Sequence, residues 1–219
     1  KELKQKNNKD LSNLMKLSPS LSELNYHRFK NWNTNFDLSN ARQSILCFKG
    51  GVYIGLDVES WHETDLLYSQ NNLRILSGLH GVLKPLDLIK PYRLEMGTKL
   101  HNVRGRDLYA FWGERITNLL NSSLSNIKSN YLLNLASNEY YASVQPSKLN
   151  ANIINVKFLD KKNDAYKVIS FYAKKARGAM ANFVIKNKIN HPDKLKSFDG
   201  LGYLFSKSRS SDKTLVFTR

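Results

Sequence analysis

The run Ser77-Gly-Leu-His-Gly-Val-Leu-Lys-Pro-Leu-Asp-Leu-Ile-Lys-Pro-Tyr-Arg-Leu-Glu-Met-Gly97 constrains this chain more than any other stretch. Three glycines and two prolines interrupt an otherwise apolar segment that also carries Lys84, Lys90, Arg93 and Glu95. Neither a regular amphipathic helix nor an alternating strand accommodates that mixture. Glycine permits positive φ and close backbone approach, while proline fixes φ and removes an amide donor. One irregular backbone path among hydrophobic anchors is therefore specified. Such loops on a rigid scaffold are where binding and chemistry tend to be placed.

The rest of the chain supplies the scaffold. Of its 219 residues 41% are hydrophobic and 11% aromatic, enough for a sizeable core. Ser18-Pro19 with Glu23 marks a helix start, running to about Lys30 and burying Leu21, Leu24 and Phe29. Ala41 to Phe48 suggests a second helix, and Thr64-Asp65 caps a third that reaches about Asn71. Leu73 to Leu76 reads as a short buried strand. Asp107 to Leu120 has the spacing of one amphipathic helix, with Leu108, Phe111, Trp112, Ile116 and Leu119 on one face. Tyr131 to Ala136 is an apolar run of strand length, and Ile153 to Leu159 with Tyr166 to Tyr172 form a hairpin across a polar turn. Lys174 to Ile189 reads as a basic helix, and Gly202 to Ser206 and Thr214 to Thr218 as further strands. The expected fold class is α/β: a single domain over residues 1–219 with a mixed sheet and surrounding helices, because the hairpin rules out a purely parallel sheet.

Charge narrows the function. Lys plus Arg is 34 against 18 Asp plus Glu, a net charge of +16. That excess favours polyanions, chiefly nucleic acid, with an anionic membrane surface as the lesser option. A lysine- and asparagine-rich proteome would raise lysine on every surface, so distribution decides: a patch means binding and an even scatter does not. The single cysteine, Cys47, excludes an internal disulfide, and neither it nor the five histidines has metal-ligand spacing. No metal and no cofactor is expected. There is no stretch of about eighteen apolar residues and no charged leader before an apolar run, so the chain reads as soluble and cytoplasmic, without a membrane partner.

Three constellations could carry chemistry. In Phe171-Tyr-Ala-Lys-Lys-Ala-Arg-Gly178 a strand is expected to run straight into a helix, placing Lys174, Lys175 and Arg177 in its first turn. Cations there oppose the helix dipole, which makes sense if a phosphate binds; a solvated basic turn is the plainer alternative. In Pro91-Tyr-Arg-Leu-Glu-Met-Gly97 an extended backbone puts Arg93 and Glu95 on one face, Tyr92 and Leu94 on the other. Either the two charges form a structural ion pair, or Arg93 grips a phosphate while Glu95 holds it or serves as acid or base. In Asn134-Leu-Ala-Ser-Asn-Glu-Tyr-Tyr141, Asn134, Ser137 and Tyr140 arrive at the end of an apolar strand, a habitual ligand position in α/β sheets, although helix capping by Ser137 or Asn138 accounts for them equally well. No Gly-x-Ser-x-Gly elbow and no phosphate-binding loop is present.

Taken together, Ala41-Arg-Gln-Ser-Ile-Leu-Cys-Phe-Lys-Gly50, the run up to Gly97, Asn134-Leu-Ala-Ser-Asn-Glu-Tyr140 and Ile169-Ser-Phe-Tyr-Ala-Lys-Lys-Ala-Arg-Gly178 resemble the YaaA family of peroxide-stress proteins, from about Leu14 to Arg219. The resemblance implies a cytoplasmic protein that limits oxidative damage by lowering free intracellular iron. It also implies DNA binding through a positively charged cleft and a helix-hairpin-helix element, on an α/β fold unlike the common superfolds. On this sequence the hairpin would fall around Leu73 to Ile89, with Lys84 near its basic edge. The resemblance brings no catalytic residue with it. Family members open with a short strand and a Ser-Pro-Ala-Lys motif, and this chain has neither; Leu17-Ser-Pro-Ser20 lies at a helix start and is no substitute.

The leading expectation is a stress-response protein contacting DNA backbone phosphates through Lys49, Lys84, Arg93, Lys174, Lys175 and Arg177. The alternative is an enzyme acting on a nucleotide-like or other anionic small molecule held by Tyr92, Arg93, Glu95, Asn134, Ser137 and Tyr140.

Overall fold

The computed structural model describes residues 1–219. Helices α1 (Glu2–Gln5), α2 (Asn8–Met15) and α3 (Pro19–Lys30) come first, then strand β1 (Arg42–Gln43) and helices α4 (Ser44–Cys47), α5 (Gly51–Leu56) and α6 (Glu63–Asn72). Strands β2 (Ile75–Ser77), β3 (Gly81–Leu83) and β4 (Leu88–Ile89) precede α7 (Leu108–Trp112), α8 (Arg115–Asn126), β5 (Tyr131–Asn134) and α9 (Asn138–Tyr141). The remaining elements are β6 (Asn152–Lys162), β7 (Ala165–Lys167), α10 (Ser170–Lys186), β8 (Leu204–Phe205) and β9 (Thr214–Thr218). This is the mixed α/β class expected from the sequence. The residues group into two compact units: Lys1–Cys47 with Arg74–Ile116 and Asn138–Gln145, and Phe48–Leu73 with Thr117–Ser137 and Pro146–Arg219.

In the first unit α3 starts as its sequence dictates, with Pro19 in the first turn and the Ser18 hydroxyl accepting from the Leu21 amide. Its buried face is Ser22, Asn25 and Phe29, while Leu21 and Leu24 are 40% and 44% exposed. The difference has a steric cause: the small or polar Ser22 and Asn25 let α2 come close, and the Ser22 hydroxyl donates to the Asn8 carbonyl. Where a helix was expected over Ala41–Phe48, Arg42 and Gln43 instead pair antiparallel with Ile89 and Leu88, leaving only α4 helical. The fully buried Ser44 donates to the carbonyls of Lys84 (2.8 Å) and Pro85 (3.1 Å), tying this segment to the Pro85 turn.

The opening run folds as strand and turn. β2 and β3 form an antiparallel hairpin, Ile75 opposite Leu83 and Ser77 opposite Gly81, and no helix lies between Leu73 and Ile89. The expected helix-hairpin-helix is therefore a β-hairpin, because Ile75, Leu76, Val82 and Leu83 sit at strand register and Gly81, with φ +75°, closes the turn. The predicted helix over Asp107–Leu120 is likewise two helices. Asp107 caps α7 by accepting from the Ala110 amide, and Gly113 at φ +51° ends it before α8 begins.

The second unit is built on a sheet in the order β5-β6-β9-β8, with β7 paired to the far end of β6. β5-β6 and β6-β9 run parallel, while β8-β9 and β6-β7 are antiparallel, so the sheet is mixed as the hairpin required. α10 lies over one face, where Ala173, Ala176 and Met180 meet Phe158, Phe198 and Phe217 in the core. α5 packs on α10 with glycine on both sides of the contact. A methyl built on Gly178 would overlap the Val52 carbonyl oxygen, and one on Gly55 the Lys175 carbonyl oxygen. The Tyr203 hydroxyl donates to the buried Asp160 carboxylate at 2.8 Å and Arg219 Nε at 2.6 Å. The Gly178→Ala variant is expected to lose about 1–3 kcal/mol of stability through overpacking. Urea denaturation checks this, and an unchanged midpoint would contradict the close crossing.

Candidate functional site

Of the eleven residues singled out from the sequence, Lys84, Tyr92, Arg93, Glu95 and Tyr140 belong to the first unit and Lys49, Asn134, Ser137, Lys174, Lys175 and Arg177 to the second. Each unit therefore offers its own set.

In the first unit Pro91 to Leu100 is irregular, with a turn at Met96–Gly97 where the Thr98 amide donates to the Glu95 carbonyl, yet exposure alternates along it: Arg93, Glu95 and Gly97 outward, Leu94, Met96 and Thr98 buried. That alternation places Arg93 and Glu95 side by side, and their charges pair at 3.0 Å with side chains 46% and 57% exposed. Tyr92, on the opposite face, shares a 2.6 Å hydrogen bond with the Ser77 hydroxyl, which also accepts from the His80 amide at 2.9 Å. Burial holds the Tyr92 phenol well above its ordinary pKa, with the Ser77 bond pulling the other way. Tyr140 is pushed up to about 12 by burial and then by the carboxylates of Glu139 and Glu95, against a hydrogen bond with the Met96 backbone and the Arg93 charge. Tyr140 thus lies near enough to Glu95 and Arg93 to feel both charges. Glu139, which the sequence reading passed over, accepts from the Gly97 amide at 2.8 Å, and the Tyr109 hydroxyl donates to its backbone carbonyl at 2.9 Å. Its signal was its place inside the Asn134–Tyr141 motif. Lys84 is exposed at the Pro85 turn, where its own amide donates to Asp87 at 2.8 Å.

His80 sits behind this set, its ring edge-on to Phe36 and Tyr92, and its Nε2 is buried without a hydrogen-bond partner. Burial lowers its pKa below 6.5, opposed by the charge of Asp87. The unfolded chain therefore binds this proton more readily than the folded one, and folding stability falls as pH drops through about 6.5, levelling off below the folded value. Replacing His80 with Gln should flatten the change in urea midpoint between about pH 7.5 and 5. A pH slope identical to the wild type would remove His80 as its source.

In the second unit the basic cluster does not stand where the sequence put it. Tyr166–Tyr172 was expected to be a strand leading into a helix at Lys174; instead β7 ends at Lys167 and α10 begins at Ser170. The cause is burial: Ala173, Ala176 and Met180 form a stripe facing the sheet, while Val168 and Phe171 face solvent and have no strand to pair with. Lys174, Lys175 and Arg177 consequently lie beyond the first turn, and the argument from free amides at the helix start no longer applies to them. Lys174 is exposed; Lys175 and Arg177 are half-buried. Arg177 Nε donates to the Ala173 carbonyl at 3.3 Å, and burial lowers its pKa, although a guanidinium remains charged. Asn134 is engaged inside the sheet: its amide donates to Asn155 at 2.9 Å and its oxygen accepts from the Ala136 amide at 3.1 Å. Ser137 is half-buried just beyond β5, and Lys49 is exposed before α5.

The charge is unevenly distributed along the chain. Pro146 to Arg219 holds sixteen Lys and Arg against five Asp and Glu, so +11 of the chain's +16 falls in this stretch. No Asp or Glu occurs between Asp164 and Asp193, where six lysines and arginines do. No group of three or more His, Cys, Asp and Glu side chains is placed to hold a metal ion, and no helix is long and apolar enough to cross a membrane.

These features sit on a chain whose residues 1–209 match the family described as peroxide stress protein YaaA. A UPF0246 protein of Aliivibrio fischeri (strain MJ11) is 56% identical over 210 residues, covering 96% of this chain and 81% of the relative. A UPF0246 protein of Saccharophagus degradans is 53% identical over 217 residues, covering 99% and 85%. The chain belongs to the YaaA family of peroxide stress proteins.

Proposed function

We propose that the chain acts in the peroxide stress response by binding DNA through its phosphate backbone, with weak preference for sequence, and that this action helps limit free iron in the cell. The observation that carries the reading is the concentration of charge in Pro146–Arg219, with its acid-free interval around Lys174, Lys175 and Arg177. A drifting composition would spread lysine evenly; this one gathers it. Lys49, Lys84 and Arg93 are further phosphate contacts, and Arg93 reaches a phosphate by giving up its exposed bond to Glu95, a pair of little intrinsic worth. The effect on iron is indirect in this reading, because the histidines and carboxylates are not grouped for metal ligation.

Each phosphate neutralised releases counterion, so six contacts imply a loss of about three orders of magnitude in affinity for duplex DNA between about 50 and 200 mM salt. The double variant Lys174→Glu/Lys175→Glu should weaken binding equally on unrelated sequences. Fluorescence anisotropy across a salt series measures both, and a flat salt response ends the proposal. Chelatable iron after a peroxide challenge tests the cellular half: equal levels with and without the protein would reject it.

A second reading is carried by the meeting of Tyr140, Arg93 and Glu95 in the first unit. In it this set binds a small anion such as a nucleoside monophosphate, Arg93 taking the phosphate and the Tyr140 phenol donating. Calorimetry with adenosine monophosphate should then give heat that Arg93→Ala removes and Tyr140→Phe reduces. No heat from the wild type disposes of this alternative and leaves the DNA reading standing.

A further inference from the structure

Two aromatic side chains stand exposed at the start of α10: Phe171 is 67% accessible and Tyr172 42%. Their rings meet edge to face at 5.7 Å. Burial of the α10 stripe against the sheet does not require them, and they cover no core. Tyr172 is instead held by a guanidinium, and Phe171 rests on Tyr172. The Arg219 guanidinium lies 4.4 Å from the Tyr172 ring and 4.6 Å from the Tyr203 ring, with its Nε on the Asp160 carboxylate and its Nη1 on the Leu201 carbonyl. Leu201 in turn lines a groove of about 530 Å³ that runs along α10 past Lys175, Asn182 and Lys186. Arg219 thus connects the Tyr172 ring to Leu201 of the groove, and Lys167 and Lys174, close in sequence to the ring pair, are exposed.

We infer that this surface binds single-stranded nucleic acid, with bases stacking on Phe171 and Tyr172 and phosphates held by Lys167 and Lys174. The inference rests on the DNA-binding reading above and adds the form of strand preferred. Duplex DNA hides the faces of its bases, so an exposed ring pair gains nothing from it; an unpaired base offers a π-face to any aromatic platform. The groove fits the same ligand. Asp57 and Asp199 line it along with Lys175 and Lys186, so it holds as many carboxylates as ammoniums. That balance suits base edges, which carry both donors and acceptors, better than a row of phosphates. Asn182 accepts from the Trp61 indole at 2.7 Å, which fixes its amide and leaves the amide nitrogen as a donor.

A membrane surface is the competing partner for exposed aromatics among lysines, and the experiment separates the two. Affinities of the full chain for a labelled oligothymidylate, a duplex of equal length and phosphatidylserine vesicles are compared for wild type, Phe171→Ala and Phe171→Leu. Leucine keeps the apolarity of the side chain and removes its π-face. The expected result is that both variants weaken the oligothymidylate complex about 5- to 100-fold and leave duplex affinity and thermal midpoint unchanged. Single-strand affinity unmoved by Phe171→Ala overturns the inference while duplex binding still supports the broader reading. Vesicle binding that survives in Phe171→Leu but not in Phe171→Ala, without any change on the oligonucleotide, overturns it in favour of a membrane face. Failure of the wild type to bind either nucleic acid overturns both proposals at once.

Discussion

The second unit depends on the absence of side chains at one place. Gly55 and Gly178 bring the backbones of α5 and α10 into contact, and a single methyl on either would overlap a carbonyl of the other helix. Glycine costs a helix interior roughly 0.5–1 kcal/mol relative to alanine, so two glycines at one contact imply a return from close packing. With α5 seated on its outer side and Ala173, Ala176 and Met180 on the sheet side, α10 is held between two surfaces. Its remaining positions, Phe171, Lys174 and Lys186 among them, are then left facing solvent or the groove at fixed places. The surface proposed to bind nucleic acid is what is left after the packing constraints on α10 are met.

The first unit solves a different problem, the fixing of a long irregular segment. Its anchors are side-chain hydrogen bonds to backbone groups, from the buried Ser44 to the exposed Glu139. Ser44 holds the Pro85 turn through two carbonyls, Trp112 donates its indole N–H to Gly78 at 3.0 Å, and Glu139 takes the Gly97 amide. Unsatisfied backbone groups in a loop cannot be buried without such partners. Each anchor comes from a distant part of the sequence, so the segment is defined by tertiary contacts more than by local propensity.

That difference explains how much could be read in advance. The start of α3 was legible because Ser18 and Pro19 act locally, through one side-chain oxygen and one fixed φ. The alternation of Arg93 and Glu95 was legible for the same reason: a two-residue period needs no distant information. The β-hairpin at Ile75–Leu83 was not, because Gly-x-x-Gly between apolar residues fits several turn types, and only pairing of the flanks decides among them. The start of α10 was misplaced because Tyr166–Tyr172 is rich in β-formers, whereas the fold buries small residues after it and leaves those aromatics outside. Asn134 was legible as a polar group at a strand end, but its bridge to Asn155 was not, a partner twenty-one residues away that no local pattern reveals. Sequence spacing brought the site residues forward by type; their partners were set by topology.

Arg219 has a consequence for motion. Its amide donates to the Leu159 carbonyl and its own carbonyl accepts from Lys161, while its guanidinium grips Asp160 and lies against two tyrosine rings. The end of β9 would otherwise be the place where a strand frays. Cross-braced in this way, it opens only when the Asp160 carboxylate is released from its buried ion pair, so slow amide exchange should extend through Thr218 and not fade along the strand. Because Tyr172 leans on the same guanidinium, its ring is braced within the fold itself. If bases stack there as inferred, a ring already braced loses little conformational entropy on contact, and Arg219 acts on affinity through the stiffness of its neighbour.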